Sequence, residues 1–290
     1  MNKNTIKGLI YGAFIGDAIA LGPHWIYDTS KIQQHFAPIS GYTDPRHTNF
    51  HPNKSAGDFT HYGDQALLLL KSIAKHKDFH IDAFKKEWIT LMTNSDIYVD
   101  AASKESLKRL QDSNRGSDSD ELGGFARSAP LFALEDIQEE DILDQIRLTH
   151  TDPQLLTIAR YLIRVLKDVL HGASIETSLL SHKDIDPFIA QSYNEARIRP
   201  DNIVERIKAI GQNCHSAFAL PAVLTIALNE ETLESALIQN TYAGGDSAAR
   251  GMVLGMLYGA RDGYHELPKD WVHGLNSFKT LEESLNQVLL

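Results

Sequence analysis

Two segments of the chain carry a glycine at every fourth position within an otherwise apolar, helix-like stretch. The positions are Gly8, Gly12 and Gly16 in the first segment and Gly251, Gly255 and Gly259 in the second. Glycine costs a helix about 0.8–1 kcal/mol relative to alanine, so six such positions need a structural reason. Close approach of two buried helix backbones supplies one, because glycine has no Cβ to keep them apart. The spacing therefore predicts that the two helices pack against each other, which would bring Asp17 near Asp246.

The first glycine segment also resembles two kinds of membrane-related sequence. Small residues four apart mediate helix pairing in membranes, but the chain has no run of about 18 apolar residues. The N-terminal "MNKNTIKGLIYGAFIGDAIALG" superficially resembles a signal peptide, with two lysines, an apolar run and a small-residue site. Asp17 lies beside that supposed cleavage site, and Gly12 and Gly16 interrupt the run. We therefore predict the first helix of the folded protein here, and no membrane span.

Helical periodicity dominates the rest of the chain. Residues 64–76 and 154–170 each place apolar side chains on one broad face, and Asp152-Pro153 is a typical helix start. Further helices are predicted at 82–93, 96–110, 128–136, 139–148, 186–197, 201–211, 215–228 and 231–240. Alternating strand patterns with hairpin turns are absent from the sequence. We predict an all-α fold, formed by residues 1–290 as a single compact multi-helix domain.

Composition limits the classes of partner. The 290 residues are 42% hydrophobic and 23% charged, which is ordinary for a globular protein with a sizeable core. The formal net charge of −10 argues against nonspecific nucleic-acid binding, which needs Lys and Arg at the phosphates. A local group of backbone amides could still bind a small anion. Cys214 is the only cysteine, which rules out an intramolecular disulfide and favours a reducing, cytoplasmic location.

Two long stretches, 40–63 and 111–127, lack helical periodicity. Loops of this length in a compact domain are usually functional or disordered. The part "QDSNRGSDSDE" is very polar, which is typical of a mobile surface loop. The part "FHPNKSAGDFTHYG" combines aromatic and histidine side chains, which favours an ordered pocket wall.

Three short motifs combine glycine, aspartate and a helix end, and each allows a structural or a functional interpretation. In "GGDSAARG", Asp246 at a helix N-terminus could bind an ion or phosphate, or could be a cap worth about 1 kcal/mol. In "DFTHYGDQ", Thr60 or Asp64 could likewise cap the following apolar helix. In "GDAIALGPHW", Asp17 and His24 flank a helix end, where they could be satisfied polar residues.

Five segments, in this order, resemble the ADP-ribosylglycohydrolase family, and within it the crystallin J1-like branch. "GLIYGAFIGDAIALG" resembles the family's opening Gly-Asp-Ala helix, and "GDFTHYGDQALLLLKSIA" occupies the place of its Thr-Asp-Asp-Thr motif. "GGFARSAPL" is similar to its Asn-Gly-x-x-Met-Arg-x-x-Pro segment, and "LTHTDPQLLTIARYL" to its Thr-His-x-Asp-Pro helix start. "AGGDSAARGMVLGMLYGA" resembles its Gly-Gly-Asp-Thr-Asp-Thr helix, so the resemblance covers nearly the whole chain.

The resemblance implies an all-α domain with a cleft at the helix ends. In active family members a pair of Mg²⁺ ions lies there, and ADP-ribose is cleaved from a protein side chain or a related acceptor. Mg²⁺ prefers oxygen ligands in near-octahedral geometry. Two such ions can orient the ribose hydroxyls and activate a water for attack at the anomeric carbon.

Several positions depart from the family's metal-binding pattern. His61 and Tyr62 stand where the family has two aspartates, and Gly63 stands on its second threonine. Ala248 and Ala249 replace the second aspartate and the last threonine of the final motif. Loss of three or four hard ligands should abolish an ordinary two-magnesium site.

Two more positions differ, with His24 where the family carries a glutamate and Leu122 where it has an asparagine. Asp64, one helical turn after Thr60, is a visible compensation. The residues present favour a borderline metal such as Zn²⁺ or Mn²⁺, or acid–base chemistry without a metal. Histidine clusters of this kind also form hydrogen-bonded pocket walls that bind no ligand.

Two hypotheses follow. The first is a hydrolase that cleaves an ADP-ribosyl or related glycosidic bond in a small-molecule or ADP-ribosylated substrate. Asp64 and Asp246 would orient or deprotonate the nucleophile, and His61 or His24 would act as acid, base or ligand. The candidate metal ligands, if a metal is bound, are Thr60, Asp64, Asp246 and Ser247, and the candidate substrate-binding residues are Asp17, Tyr62, Gly123, Gly124, Arg127, His150 and Gly245. The second hypothesis is a non-catalytic descendant, either a nucleotide-binding module or a structural protein like the crystallins.

Overall fold

The structure is a computed structural model that describes residues 2–94, 96–113 and 115–289. Within these ranges the regular elements are α-helices, three short 3₁₀ helices and two isolated β-bridges. The α-helices are α1 (Lys3–Ala20), α2 (Thr29–Phe36), α3 (His61–His76), α4 (Ile81–Asn94), α5 (Ala101–Asp112), α6 (Gly123–Ala126), α7 (Glu139–Arg147), α8 (Pro153–Leu170), α9 (Ile175–His182), α10 (Pro187–Ala196), α11 (Ile203–Ile210), α12 (Ser216–Asn229), α13 (Leu233–Tyr242), α14 (Ser247–Asp262), α15 (Lys269–His273) and α16 (Phe278–Val288). The predicted all-α fold is confirmed.

The helices with strong apolar periodicity begin and end close to their predicted bounds. α8 starts at Pro153 as predicted, because the Asp152 carboxylate accepts a hydrogen bond from the third helical amide. α5 starts later than predicted, because Asp100 is its N-cap. The predicted helix 128–136 is only a 3₁₀ helix over Ala129–Ala133, which ends where Leu134 turns to an extended conformation.

Some helices were not predicted from the sequence. α2, α6, α9 and α15 have eight residues or fewer, which is too short for a convincing periodic pattern. α16 is different, because Leu281 and Leu285 are buried one helical turn apart on its inner face. That spacing is present in the sequence and could have predicted the helix.

α1 and α14 pack antiparallel along the two rows of glycine. A Cβ added at any of these positions would overlap a backbone carbonyl oxygen of the facing helix, in the pairs Gly8–Gly259, Gly12–Gly255 and Gly16–Gly251. Most of α1 and nearly all of α14 are buried in one hydrophobic core. The predicted packing of the two glycine helices is confirmed, and it places the end of α1 beside the start of α14.

The N-terminus of α3 lies beside the end of α1 and the start of α14. Thr60 donates to Asp17 in α1, and Tyr62 donates to Asp246, the residue before α14. The preceding loop is ordered around buried His51 and Phe59, in agreement with the predicted pocket wall. No helix in the described ranges is long and apolar enough to cross a membrane.

The polar stretch 111–127 is more integrated than a mobile surface loop. Asn114, within it, lies outside the described residues. Ser117 is fully buried and forms a parallel bridge with His150, and Glu121 forms an antiparallel bridge with His215. The second half of this stretch therefore packs beside His150, one of the predicted site residues.

Candidate functional site

Asp17, near the end of α1, is buried and held by the start of α3. Its carboxylate oxygens accept hydrogen bonds from the Thr60 amide at 2.7 Å and the Thr60 hydroxyl at 2.5 Å. Gly63 leaves room for this carboxylate, because a Cβ there would overlap it. Burial raises the pKa of Asp17 to about 7, although both hydrogen bonds oppose the shift. Asp17 therefore fastens α1 to α3, and both of its oxygens already have a donor.

The Thr60 hydroxyl both donates to Asp17 and caps α3, since its oxygen accepts from the Tyr62 amide at 3.2 Å. We expect Thr60→Val to lower the free energy of unfolding by about 2–4 kcal/mol, from one lost buried hydrogen bond and one lost cap. Thr60→Ser keeps both interactions and should unfold nearly as the wild type does. Urea unfolding at pH 8 measures the difference, and equal stability of the two variants would contradict this role.

Asp246 is the N-cap residue of α14 and is 1% exposed, but its side chain forms no capping hydrogen bond. The Tyr62 hydroxyl donates to its Oδ2 at 3.1 Å. Its Oδ1 has no hydrogen-bond partner among the described residues and lies 3.8 Å from His24 Nδ1. Burial raises the pKa of Asp246 to about 7, against the charge of Arg250. This carboxylate thus keeps one oxygen available for a ligand.

A double-glycine turn sets the position of Asp246. Gly244 and Gly245 have φ values of +68° and +63°, the left-handed region that favours glycine. The Gly245 amide donates to the Ile26 carbonyl at 2.8 Å, and the Gly245 carbonyl accepts from the Trp25 amide at 2.9 Å. Gly245 therefore acts through its backbone, joining the loop after α1 to the start of α14.

Arg250 holds this turn from inside the protein, and sequence reasoning did not identify it. Its buried guanidinium donates to the carbonyls of Gly244 at 2.6 Å and Gln212 at 3.1 Å, and to the Asn240 side chain at 3.0 Å. Burial lowers the pKa of Arg250 to about 10. An arginine inside a glycine- and alanine-rich helix was the sequence signal that could have revealed it.

Three buried histidines stand around one another beside Asp246. The ring centroids of His24, His51 and His61 are 5.6–6.0 Å apart. The His51 Nε2 accepts from the His61 amide at 3.4 Å, whereas both ring nitrogens of His24 and of His61 have no hydrogen-bond partner among the described residues. The His61 Nε2 lies 3.4 Å from the Asp100 carboxylate. Burial lowers the pKa of His24 well below its usual value, that of His51 to about 3 and that of His61 to about 4. These imidazoles are therefore neutral near pH 7.

An aromatic cover closes this cluster. The Trp25 ring stacks on His24 at a centroid distance of 4.3 Å, and meets Phe50 and Tyr98 edge-on at 4.6 and 5.2 Å. Trp25 has φ +64°, which is unusual for a bulky residue and common at functional sites. A cavity of about 530 Å³, lined by Trp25 and Phe50 among others, adjoins the cover. Trp25 therefore contacts both the polar cluster and that cavity.

Arg127 is buried without a bonded carboxylate. Its guanidinium donates to Gln65 Oε1 at 2.7 Å and to the Thr149 hydroxyl. The Trp88 indole donates to the same Gln65 oxygen at 2.8 Å. Burial lowers the pKa of Arg127 to about 10, and its Nε has no partner among the described residues. In this arrangement Arg127 organises neighbouring side chains.

Gly123 and Gly124 bring two predicted site residues close to the start of α6. A Cβ on Gly123 would overlap the Tyr62 ring, and a Cβ on Gly124 would overlap the His150 ring. His150 is buried, and its Nδ1 lies 2.8 Å from the Thr149 hydroxyl. The two glycines therefore allow Tyr62 and His150 to pack against one turn of backbone.

Glu121 lies directly before this turn and was missed because the polar stretch around it predicts a surface loop. Its side chain is 20% exposed. Its Oε1 accepts from the Cys214 thiol at 3.1 Å, and its Oε2 lies 3.9 Å from His150 Nε2. Burial would raise the pKa of Glu121, but His150 and Cys214 lower it to about 2. The negative charge of Glu121 also raises the pKa of Asp246. The site thus contains an ionised carboxylate that no motif indicated.

Asp64 and Ser247 occupy different surroundings. Both oxygens of Asp64 bind Lys54 Nζ at 2.7 Å, and no hydrogen bond or ion pair joins Asp64 to Asp246 in the described part of the chain. Burial raises the pKa of Asp64, against the charge of Lys54. Ser247 is buried, and its hydroxyl has no partner among residues 2–94, 96–113 and 115–289.

The oxygen atoms that could act as metal ligands here do not fit the two-magnesium site that the resemblance implies. Both oxygens of Asp17 are bonded to Thr60, and both oxygens of Asp64 to Lys54. No group of three or more His, Cys, Asp or Glu side chains among the described residues is arranged to hold a metal ion. Mg²⁺ needs about six oxygen ligands, and Asp246 with neighbouring hydroxyls falls short of that set.

Unsatisfied polar atoms concentrate in this cluster. Fourteen buried side-chain nitrogen and oxygen atoms lack a hydrogen-bond partner within the described ranges, and nine of them belong to the residues above. These nine are both nitrogens of His24 and of His61, one nitrogen each of His51, Arg127 and His150, Asp246 Oδ1 and Ser247 Oγ. Buried polar groups are nearly always hydrogen-bonded, so such a concentration indicates a place for water or a polar ligand.

Comparison with known proteins identifies the family and the fold. The profile of the ADP-ribosylglycohydrolase family matches residues 2–290. Crystallin J1B of Tripedalia cystophora is 21% identical over 99% of this chain and 97% of its own, and crystallin J1A of the same organism is 21% identical over 93% and 91%. A solved structure described as an ADP-ribosylglycohydrolase-related protein complex is 19% identical, with a TM-score of 0.74 over 99% of this chain and 97% of the other, and shows the same fold. The chain therefore belongs to the ADP-ribosylglycohydrolase family.

Proposed function

We propose that the protein is a hydrolase that cleaves an ADP-ribosyl or related glycosidic bond, with Asp246 as its central carboxylate. The substrate would be a small molecule or an ADP-ribosylated acceptor, met in the cytoplasm and not on nucleic acid. Family membership supports the reaction class. The concentration around Asp246 of buried polar atoms without a hydrogen-bond partner in the described ranges supports the place.

The chemistry requires a group that removes a proton from the attacking water and passes it to the leaving group as the glycosidic bond breaks. General bases and acids work best when their pKa lies near the operating pH. Asp246 has a pKa of about 7 because it is buried, and its Oδ1 has no competing partner among the described residues. The Tyr62 hydroxyl on Oδ2 would keep the carboxylate oriented.

The histidines would have a different role in this proposal. At pH 7 His61 and His24 lack the second ring proton of an imidazolium and cannot protonate a leaving group, because burial holds their pKa values low. We propose that they line the pocket and hydrogen-bond the ligand as neutral imidazoles. Asp64 would support the site from outside through its bond to Lys54.

The activity test uses proteins or small molecules that carry ADP-ribose on arginine, serine or another acceptor. The wild type should release ADP-ribose, and Asp246→Asn should lower the rate by about 10²- to 10⁴-fold, the usual contribution of a general acid or base. Asp112→Asn, an exposed carboxylate on α5, is the matched control and should keep full activity. Full activity of Asp246→Asn would remove Asp246 from the mechanism.

Metal removal is a separate prediction. Because the oxygen donors do not fit a magnesium pair, we expect release of ADP-ribose to be unchanged after dialysis against a chelator. Added Mg²⁺, Mn²⁺ or Zn²⁺ should not raise the rate. A rate that disappears on chelation and returns with one of these ions would contradict a metal-free site and identify the metal.

A non-catalytic role is the second candidate, and burial favours it. His24 and His61 are fully buried and Asp246 almost so, beneath the cover of Trp25, Phe50 and Tyr98. Two curated relatives are crystallins. Binding of ADP-ribose without turnover would indicate a binding module, and no binding of any nucleotide would favour a structural protein.

A further inference from the structure

Glu121 Oε2 and His150 Nε2 face each other across a short gap that no hydrogen bond closes. Glu121 Oε2 and His150 Nε2 are 3.9 Å apart, which is longer than a hydrogen bond. Both backbones are fixed by bridges, Glu121 to His215 and His150 to Ser117. The other Glu121 oxygen is occupied by the Cys214 thiol, so Oε2 is the one that faces the gap.

The hydrogen-bond network decides which His150 nitrogen carries the proton. Arg127 has only hydrogens to offer, so it donates to the Thr149 hydroxyl oxygen. The Thr149 hydroxyl has one hydrogen of its own, and His150 Nδ1 lies 2.8 Å away as its available acceptor. A neutral His150 that accepts at Nδ1 carries its proton at Nε2. This buried N–H then lies near Glu121 Oε2 and has no hydrogen-bond partner among the described residues.

The His150 N–H is a hydrogen-bond donor and Glu121 Oε2 is an acceptor. One oxygen atom that both accepts and donates could therefore bind to the two groups. An oxygen about 2.8 Å from each of these two atoms would lie beside the line that joins them, because the atoms are only 3.9 Å apart. A hydroxyl matches this pair, because it accepts from His150 and donates to Glu121. A phosphate oxygen could only accept, and a metal ion would be repelled by the N–H.

We propose that Glu121 and His150 bind one hydroxyl group of the sugar in the ligand, and so determine specificity for a ribose that carries that hydroxyl. This inference rests on the proposed function, since it concerns the ADP-ribosyl ligand of the same site. Tyr62, which donates to Asp246, packs against Gly123, two residues after Glu121, so the bound hydroxyl would lie on the same side of the site as Asp246. The pair would orient the sugar without a metal ion.

The test measures binding of ADP-ribose and of analogues that each lack one ribose hydroxyl, by titration calorimetry. Glu121→Gln should weaken binding of ADP-ribose about 10- to 100-fold, the usual value of a hydrogen bond to a charged group. One deoxy analogue should bind equally to the wild type and to Glu121→Gln, because the contact is already absent. Glu121→Ala should behave in the same way, and Asp120→Asn, whose carboxylate bonds the exposed His215, should bind like the wild type.

Two outcomes would overturn the proposal. One is unchanged binding of ADP-ribose by both Glu121 variants, and the other is an equal loss for every analogue. If the wild type binds no ADP-ribose at all, the proposed function fails. Titration with free D-ribose then tests separately whether Glu121 and His150 bind a sugar hydroxyl. In that experiment the ring ¹⁵N signal of His150 Nε2 should shift with D-ribose in the wild type and not in Glu121→Gln. Absence of a shift in the wild type would reject the hydroxyl site as well.

Discussion

Gly12→Ala is expected to lower the free energy of unfolding by about 3 kcal/mol or more, and Gly12→Val to give no folded protein. A Cβ at Gly12 would overlap the carbonyl oxygen of Gly255, and backbone on a buried helix cannot move aside as a side chain can. The axes of α1 and α14 would have to separate, which would loosen packing along the whole pair. Helix propensity alone predicts the opposite sign, because alanine favours helix by about 1 kcal/mol.

Urea unfolding of Gly12→Ala beside Gly41→Ala measures this effect. Gly41 is the control because its φ is not in the left-handed region, and an added Cβ would meet only Trp271 Nε1 at 3.8 Å. We expect Gly41→Ala to stay within about 0.5 kcal/mol of the wild type. A Gly12→Ala protein as stable as the Gly41→Ala protein would show that the glycine rows do not set the distance between the helices.

Asp246→Asn is expected to stabilise the protein at pH 8 by a few kcal/mol and to have little effect at pH 4. The folded pKa of Asp246, about 7, exceeds the usual aspartate value of 3.8. The folded protein therefore holds this proton more tightly than the unfolded chain does. Stability is highest below pH 4 as far as this group is concerned, and is lost as pH rises through 7. Each pKa unit corresponds to about 1.4 kcal/mol, so a shift of about three units sets an upper limit near 4 kcal/mol.

Asparagine removes that dependence because it buries no charge and keeps an oxygen for the Tyr62 hydroxyl. Asp17 has a raised pKa as well, but it is present in both proteins and cancels in their difference. The measurement is the difference in unfolding free energy between Asp246→Asn and wild type at several pH values from 4 to 8. A difference that does not change with pH would show that Asp246 titrates normally. A site that gains stability when its carboxylate is removed is typical of function maintained against stability.

The helices and their central crossing could be predicted because both depend on local spacing. The six glycines, the apolar faces of α3 and α8, and the Asp152 cap are readable without tertiary information. Short helices such as α6 and α15 depend on contacts made by distant parts of the chain, so their own residues carry little signal. The resemblance brought Asp17, Tyr62, Asp246 and His150 to one place, and the structure assembles them at one end of the α1–α14 pair.

Pairing within the site was harder to predict, because it depends on side chains far apart in the sequence. Asp64 looked like a replacement ligand by its helical spacing, yet Lys54 binds it. Glu121 looked like part of a surface loop, yet the bridge to His215 draws it inward against Cys214. A sequence shows which carboxylates exist, whereas burial and neighbouring donors decide which of them remain free.

The most direct test of the account is thermal unfolding of metal-stripped wild type with ADP-ribose. Mg²⁺, Mn²⁺ and Zn²⁺ are added alone and with the nucleotide, and Asp246→Asn and Asp112→Asn are run in parallel. We predict that ADP-ribose without metal stabilises the wild type by about 2.7 kcal/mol at 100 times its dissociation constant. The Asp112→Asn control should respond in the same way, and Asp246→Asn should respond less. No stabilisation of the wild type by ADP-ribose, with or without any metal, would contradict a ligand site at Asp246 and leave these residues a purely structural role.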